Sequence, residues 1–241
     1  AAILKKDNQA KGLLTTFSSP LANSLEHKLR VLTGSNGSNG SNVTILPFDG
    51  VAYDLFTLAF GHTPRAASRE QVKATLEAAV NELEIAGFTI RFLVSEWNNV
   101  VDAWQINTLD AYRDVPRLGR KNRLGSKQRE RVWPIFVRTR ELLETQGFDS
   151  WSGIFSKVTA HYAERDHKPF SHIIVDEAQD LGVPELRMLA AIADQSSDAL
   201  FFAGDLGQRI FQEPFSWMAL GVDIRGRSHT LKVNYRTSHQ I

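Results

Sequence analysis

Apolar residues along this chain follow two rhythms. Gly12-Leu13-Leu14-Thr15-Thr16-Phe17 and Val43-Thr44-Ile45-Leu46 are short apolar and β-branched runs that predict strands. Phe170-Ser171-His172-Ile173-Ile174-Val175 and Ala199-Leu200-Phe201-Phe202-Ala203 are continuous rather than alternating. That pattern predicts strands of a parallel sheet covered on both faces. Leu231-Lys232-Val233-Asn234-Tyr235 predicts a fifth. Between the third and fourth runs, Pro184 marks a helix start, and Leu186, Leu189 and Ala193 follow at helical spacing. Strand, helix, strand predicts a right-handed parallel crossover.

The middle of the chain changes period. Ser68-x-x-Gln71 has the form of a capping box, after which Val72, Leu76, Val80 and Leu83 mark one helix face and Val132, Phe136 and Leu143 another. Residues 65–147 are therefore expected to be a mostly helical insertion. Trp151, Phe155, Val158 and Tyr162 lie on one side of a further helix leading back into the sheet. The simplest architecture is α/β: a core over residues 1–64 and 148–241 interrupted by the helical subdomain. Residues 34–42 are three copies of Gly-Ser-Asn, a flexible linker of natural or engineered origin that carries no chemistry.

Composition narrows the class. Of 241 residues, 42% are hydrophobic and 23% charged, which excludes wholesale disorder and coiled coil. No apolar run approaches the roughly 18 residues of a membrane span, and Ala1-Ala2-Ile3-Leu4-Lys5-Lys6 lacks the parts of a signal peptide, so no membrane partner is expected and the cytosol, that is a cytoplasmic location, is the default. There is no cysteine, and the seven His show no metal-ligand spacing. Charge is unevenly placed. Arg113 to Arg140 holds ten Lys and Arg against Asp114 and Glu130, while Asp176 to Glu213 holds eight acids against Arg187 and Arg209. The first stretch attracts polyanions and the second suits a divalent cation, unless both are solvated helix faces.

The densest chemistry is in Val175-Asp176-Glu177-Ala178-Gln179-Asp180, where an apolar strand ends in adjacent carboxylates. In open α/β sheets ligands bind at that C-terminal edge. One acid can hold Mg²⁺ while its neighbour orients or deprotonates an attacking water. A polar turn after a strand is the bland alternative for a bare Asp-Glu.

The longer string resembles motif II of the UvrD/Rep-like superfamily 1 helicases, and other segments follow that family's order. Leu200 to Phe211, with Gly204-Asp205-Leu206-Gly207-Gln208, resembles motif III; Asn234-Tyr235-Arg236-Thr237 resembles motif IV; Leu13 to Ser18 resembles motif Ia. The resemblance implies a RecA-like P-loop NTPase-type sheet, with ATP and Mg²⁺ as cofactors. It implies Asp176 on the metal, Glu177 as the base, and Gln208 and Arg236 at the terminal phosphate, all four being nucleotide contacts. It implies single-stranded DNA held by Thr16, Phe17 and Ser18, with Phe17 and Phe211 as stacking rings; Phe215 and Trp217 are further candidates for stacking. The basic insertion corresponds to the 1B subdomain facing the duplex junction, so Arg120, Lys121 and Arg123 are expected phosphate contacts.

The pattern also departs from the family. No Gly-x-x-x-x-Gly-Lys-Ser/Thr loop occurs, although the family uses it to cradle phosphates. Ala1 to Lys11 resembles the helix that follows such a loop, and the chain stops just after the motif IV-like run, so the expectation is an incomplete first motor domain, inactive by itself, whose second motor domain is an absent partner. Pro47-Phe48-Asp49-Gly50 keeps only the Phe of a further family motif, and Glu213 stands near a family tryptophan. A non-hydrolysing nucleic-acid-binding or protein-docking module is the alternative from another class, and a motor acting on RNA is a third reading.

Overall fold

The structure is a computed structural model that describes residues 10–33, 42–115, 124–196, 198–205, 218–220, 222, 226–227 and 229–230. Four strands form one parallel sheet in the order β2-β1-β3-β4: β1 is Gly12–Thr16, β2 Val43–Pro47, β3 His172–Val175 and β4 Leu200–Phe202. The register sets Thr15 opposite both Leu46 and Val175. β1 is thus the second strand of the sheet, and all strand ends point one way. The fifth predicted strand, 231–235, lies outside the described residues.

One face of the sheet is closed by three helices, α2 (Phe48–Phe60), α7 (Trp151–Ala163) and α8 (Val183–Ile192), which also pack against one another. Leu13, Ile173 and Val175 supply the sheet side of this core, and Val51, Leu55, Ile154, Val158, Leu186 and Leu189 the helix side. Pro184 is in the first turn of α8, where its missing N–H leaves no bond unmade. The opposite face differs from the sequence expectation. There, among the described residues, α1 (Ser19–Thr33) packs on β2 and β1, and Ile174 is 44% and Phe201 62% exposed.

A second, separate hydrophobic cluster is built from α3 (Arg69–Leu83), α4 (Ile90–Glu96), α5 (Leu109–Asp114) and α6 (Ser126–Thr145). Ser68 caps α3 in a capping box: its Oγ accepts the Gln71 backbone N–H and Gln71 Oε1 accepts the Ser68 N–H. Val72 and Leu76 are buried as their spacing predicts, but the stripe turns through Thr75 and Ala79, and Leu83 is 37% exposed. On α6, Val132, Phe136 and Leu143 all point inward.

The two clusters meet at a polar joint. A π-helical turn, Trp97–Val101, ends at Asp102, whose buried carboxylate accepts the Ser150 hydroxyl at 2.5 Å and the Gln105 amide at 3.0 Å. Ser150 in turn caps α7 by accepting the Gly153 N–H. Trp104 packs on both clusters, with the Arg187 guanidinium 5.5 Å from its ring centre. Two chain crossings close the joint, where Asp149 N–H donates to Arg65 and Ala67 N–H donates to Asp149.

Candidate functional site

The C-terminal rim of the sheet gathers the chemistry-bearing residues that the structure describes. The β1–β3 ladder runs one bond past the strands, because the Asp176 N–H donates to Thr15 O at 2.9 Å. Thr16 and Asp176 therefore follow directly on a paired position and share the rim. Thr16 is fully buried, and its Oγ1 has no hydrogen-bond partner. Just beyond it Phe17 stands 57% exposed, and the Ser18 carbonyl accepts the Ala22 N–H as α1 begins. A ring held out from a rigid strand end, beside a helix start, can stack on a flat partner.

After Val175 the backbone turns sharply. Glu177 sits in the left-handed region, φ 55° and ψ 44°, an uncommon conformation for a residue with a side chain. The turn leads into a short 3₁₀ helix, Ala178–Asp180, and the strain is held by bonds on both sides. Ala178 N–H donates to Ala203 O, Ala203 N–H donates to Val175 O, and Asp180 N–H donates to Glu177 O. Non-glycine residues kept in this region cluster at functional sites, because only a surrounding network holds them there.

Gln179 is the centre of that network. It is buried at 5% exposure; its amide Nε2 donates to Glu177 Oε2, and its Oε1 accepts the Asp205 N–H at 3.0 Å. One side chain thus couples the carboxylate after β3 to the backbone after β4. Gly204 permits this approach: a Cβ there would lie 2.5 Å from Gln179 Oε1 and 2.9 Å from the Ala178 nitrogen. Both residues lie inside the motif-like strings, where neither is assigned a role. The usable signal was a glycine between an apolar strand and an acid, a mark of close backbone approach.

Asp176, Glu177 and Thr16 carry donors of the type a hard cation takes. Two half-exposed carboxylates and a buried hydroxyl without a protein partner are all oxygen donors. Among the described residues no group of three or more His, Cys, Asp or Glu could hold a metal by itself. The expected ATP contacts are only partly within view. Gln208 and Arg236 lie outside the described residues, as do Phe211, Phe215 and Trp217.

The described arginines of the basic stretch also bond within the protein. Arg113 bridges Asp110 and Glu130, each at 2.8 Å, and Arg138 bridges Glu82 and Glu141, each at 2.9 Å. Arg131 donates to Ala86 O and lies over Phe88; Arg140 donates to Ile106 O and lies over Trp97. Arg129 donates to the Tyr112 and Arg113 carbonyls. These five guanidinium groups hold the helical cluster together. Arg120, Lys121 and Arg123 fall in 116–123, outside the described residues. Phe48, the one residue retained from the further family motif, is 3% exposed and belongs to the core under the sheet.

The family model for the UvrD/REP helicase N-terminal domain matches residues 1–212. No curated protein matches the sequence. Among the described residues no helix is long and apolar enough to cross a membrane.

Proposed function

From the chain's membership of the UvrD/REP helicase N-terminal domain family and the geometry at the sheet rim, we propose that this is the first motor domain of an ATP-dependent DNA helicase or translocase. The observation that carries the reading is Glu177, a carboxylate held in a left-handed turn at the mouth of a parallel sheet by the buried Gln179. A base that must take a proton from a water needs such fixed aim. Asp176 would hold Mg²⁺, which when bound with ATP neutralises charge on the phosphoryl oxygens. Glu177 would orient and deprotonate the water. Gln179 would pass the position of Glu177 to Asp205 and so to the segment carrying Gln208, which with Arg236 would read the terminal phosphate.

Single-stranded DNA would lie along Phe17 and Ser18, with Phe17 stacking on a base, while Thr16, expected from the sequence as a third contact, is fully buried and would support the strand end from beneath. The helical cluster, 65–147, would face the duplex junction, and movement would run 3′ to 5′, as the family resemblance implies. The 241 residues contain no phosphate-cradling Gly-Lys-Ser/Thr loop, so by themselves they should hydrolyse ATP negligibly. DNA-stimulated ATPase of the motor that contains this domain tests the reading: Glu177→Gln should abolish turnover and leave nucleotide binding intact. Undiminished turnover in that variant would remove Glu177 from the role of base, and Glu177-dependent hydrolysis by the 241-residue chain would contradict the need for a missing cradle.

A further inference from the structure

At the opposite end of the sheet from Asp176 and Glu177, where β1 and β3 begin, the surface has an open depression of about 270 Å³. Five of its nine lining residues are basic, Lys11, His161, Arg165, His167 and Lys168, and none is acidic. The whole chain has only 28 Lys and Arg and 7 His in 241 residues, so the enrichment is local. The neighbouring acids Glu164 and Asp166 do not line it. Among the described residues no ion pair engages Lys11, Arg165 or Lys168.

The depression is also built and apolar in part. Lys168 Nζ donates to the Tyr162 and Ala163 carbonyls at 2.6 and 3.1 Å, which both fixes the lysine and offsets the negative end of α7. Phe60, His161 and Tyr162 make a continuous ring contact, at 5.5 and 4.9 Å between centres, and the Arg165 guanidinium lies 5.8 Å from the Tyr162 ring centre. Leu58 is also in the lining and is 78% exposed, and Phe60, packed on His161, is 41% exposed. Two exposed large apolar side chains next to fixed cations are the makings of an interface anchor with a charged rim.

We propose that this edge is a second binding site, for a short acidic segment of a partner protein that seats one apolar side chain against Leu58 and Tyr162 and sets its carboxylates beside Lys11, Arg165 and Lys168. Charge complementarity selects an acidic ligand, and the apolar lining selects a peptide over nucleic acid. A duplex presents phosphates on a convex surface about 20 Å across and offers nothing to Leu58, whereas extended peptides read pockets with alternate side chains.

Selection of a displayed random 12-residue peptide library on the chain, followed by fluorescence anisotropy of the enriched peptides, tests this. Enriched sequences should carry acids flanking a Leu, Phe or Trp. Their affinity should fall at least tenfold in Leu58→Asp and separately in Arg165→Glu, and stay unchanged in Lys28→Glu, a charge control on α1. All three positions are exposed, and circular dichroism melting should show each variant as folded as the parent. Three results would overturn the proposal: enrichment without acidic and apolar character, peptide binding indifferent to Leu58 and Arg165, or a labelled 20-mer oligonucleotide that competes with the peptides and loses affinity in the same two variants.

Discussion

Gly204 shows how much a single missing Cβ decides. The atoms it would meet include the Ala178 and Gln179 backbone nitrogens at 2.9 and 3.1 Å, which cannot swing aside as a side-chain end can. Gly204→Ala should therefore destabilise by about 1–3 kcal/mol in urea unfolding, the usual scale of overpacking, and loosen the Gln179 to Asp205 bond. An unchanged midpoint would mean the β4 exit has room to shift. Asp102 makes a different kind of demand. Burial raises its carboxyl pKa, and the Ser150 and Ser152 hydroxyls, the Arg140 charge and Gln105 oppose the rise without cancelling it. The folded state therefore holds the proton more tightly than the unfolded chain, whose Asp titrates near pH 4. Asp102 favours folding below that value, and its contribution is lost as pH rises through the raised folded pKa. Asp102→Asn carries no charge to bury, so its melting temperature relative to the parent should climb between pH 4 and 7. A flat or falling difference would show that the Arg140 pairing outweighs desolvation. At this scale the sequence exposed the acids of the rim, because Val-Asp-Glu-Ala-Gln-Asp is a contiguous string. It did not expose Asp102, whose partner Ser150 lies 48 positions away.

Elements were legible where local chemistry decides them. The Ser68 and Gln71 capping box, the Pro184 helix start and the four strand runs all rest on neighbours in sequence, and the structure has each of them. What the sequence could not show was which face each element would lack. Ile174 and Phe201 look like fully covered strand residues because periodicity records apolarity and not the reach of α1. The same distinction separates two serines that cap helices. Ser68 serves only its own helix, so Ser68→Ala should cost about 1 kcal/mol, the ordinary worth of a cap. Ser150 caps α7 and also donates to the buried Asp102, so Ser150→Ala removes a cap and a charge-assisted bond together. The expected loss is about 2–4 kcal/mol. Equal losses in chemical denaturation would deny the joint any share in stability.

Over the whole molecule, the question is which cations are free to meet a polyanion. A count of charge along the chain marks Arg113 to Arg140 as a block, but the fold divides it. Arg113 and Arg138 are each shared between two carboxylates, and Arg129, Arg131 and Arg140 satisfy backbone carbonyls at helix ends and turns. A guanidinium already paired with carboxylates, as in Arg113 and Arg138, has few counterions to release, so it contributes little to the salt dependence of binding, and one held by backbone carbonyls is less free to reach a phosphate. Of the ten cations in the block, five are engaged in this way and five are left, Arg117, Arg120, Lys121, Arg123 and Lys127, and the proposed phosphate contacts Arg120, Lys121 and Arg123 are among them. If each meets one phosphate, removing all three contacts by reversal to Glu should make the negative slope of log affinity against log salt shallower by at least about 2.7 for a tailed duplex, at about 0.9 per contact. Arg138→Gln, although it removes a charge from the same block, should leave that slope unchanged. Titrations from about 50 to 200 mM salt separate the two variants, since this range magnifies each phosphate contact. A slope that responds equally to both would mean the helical cluster binds through its summed field, and that the ion pairs of α6 open to let it do so.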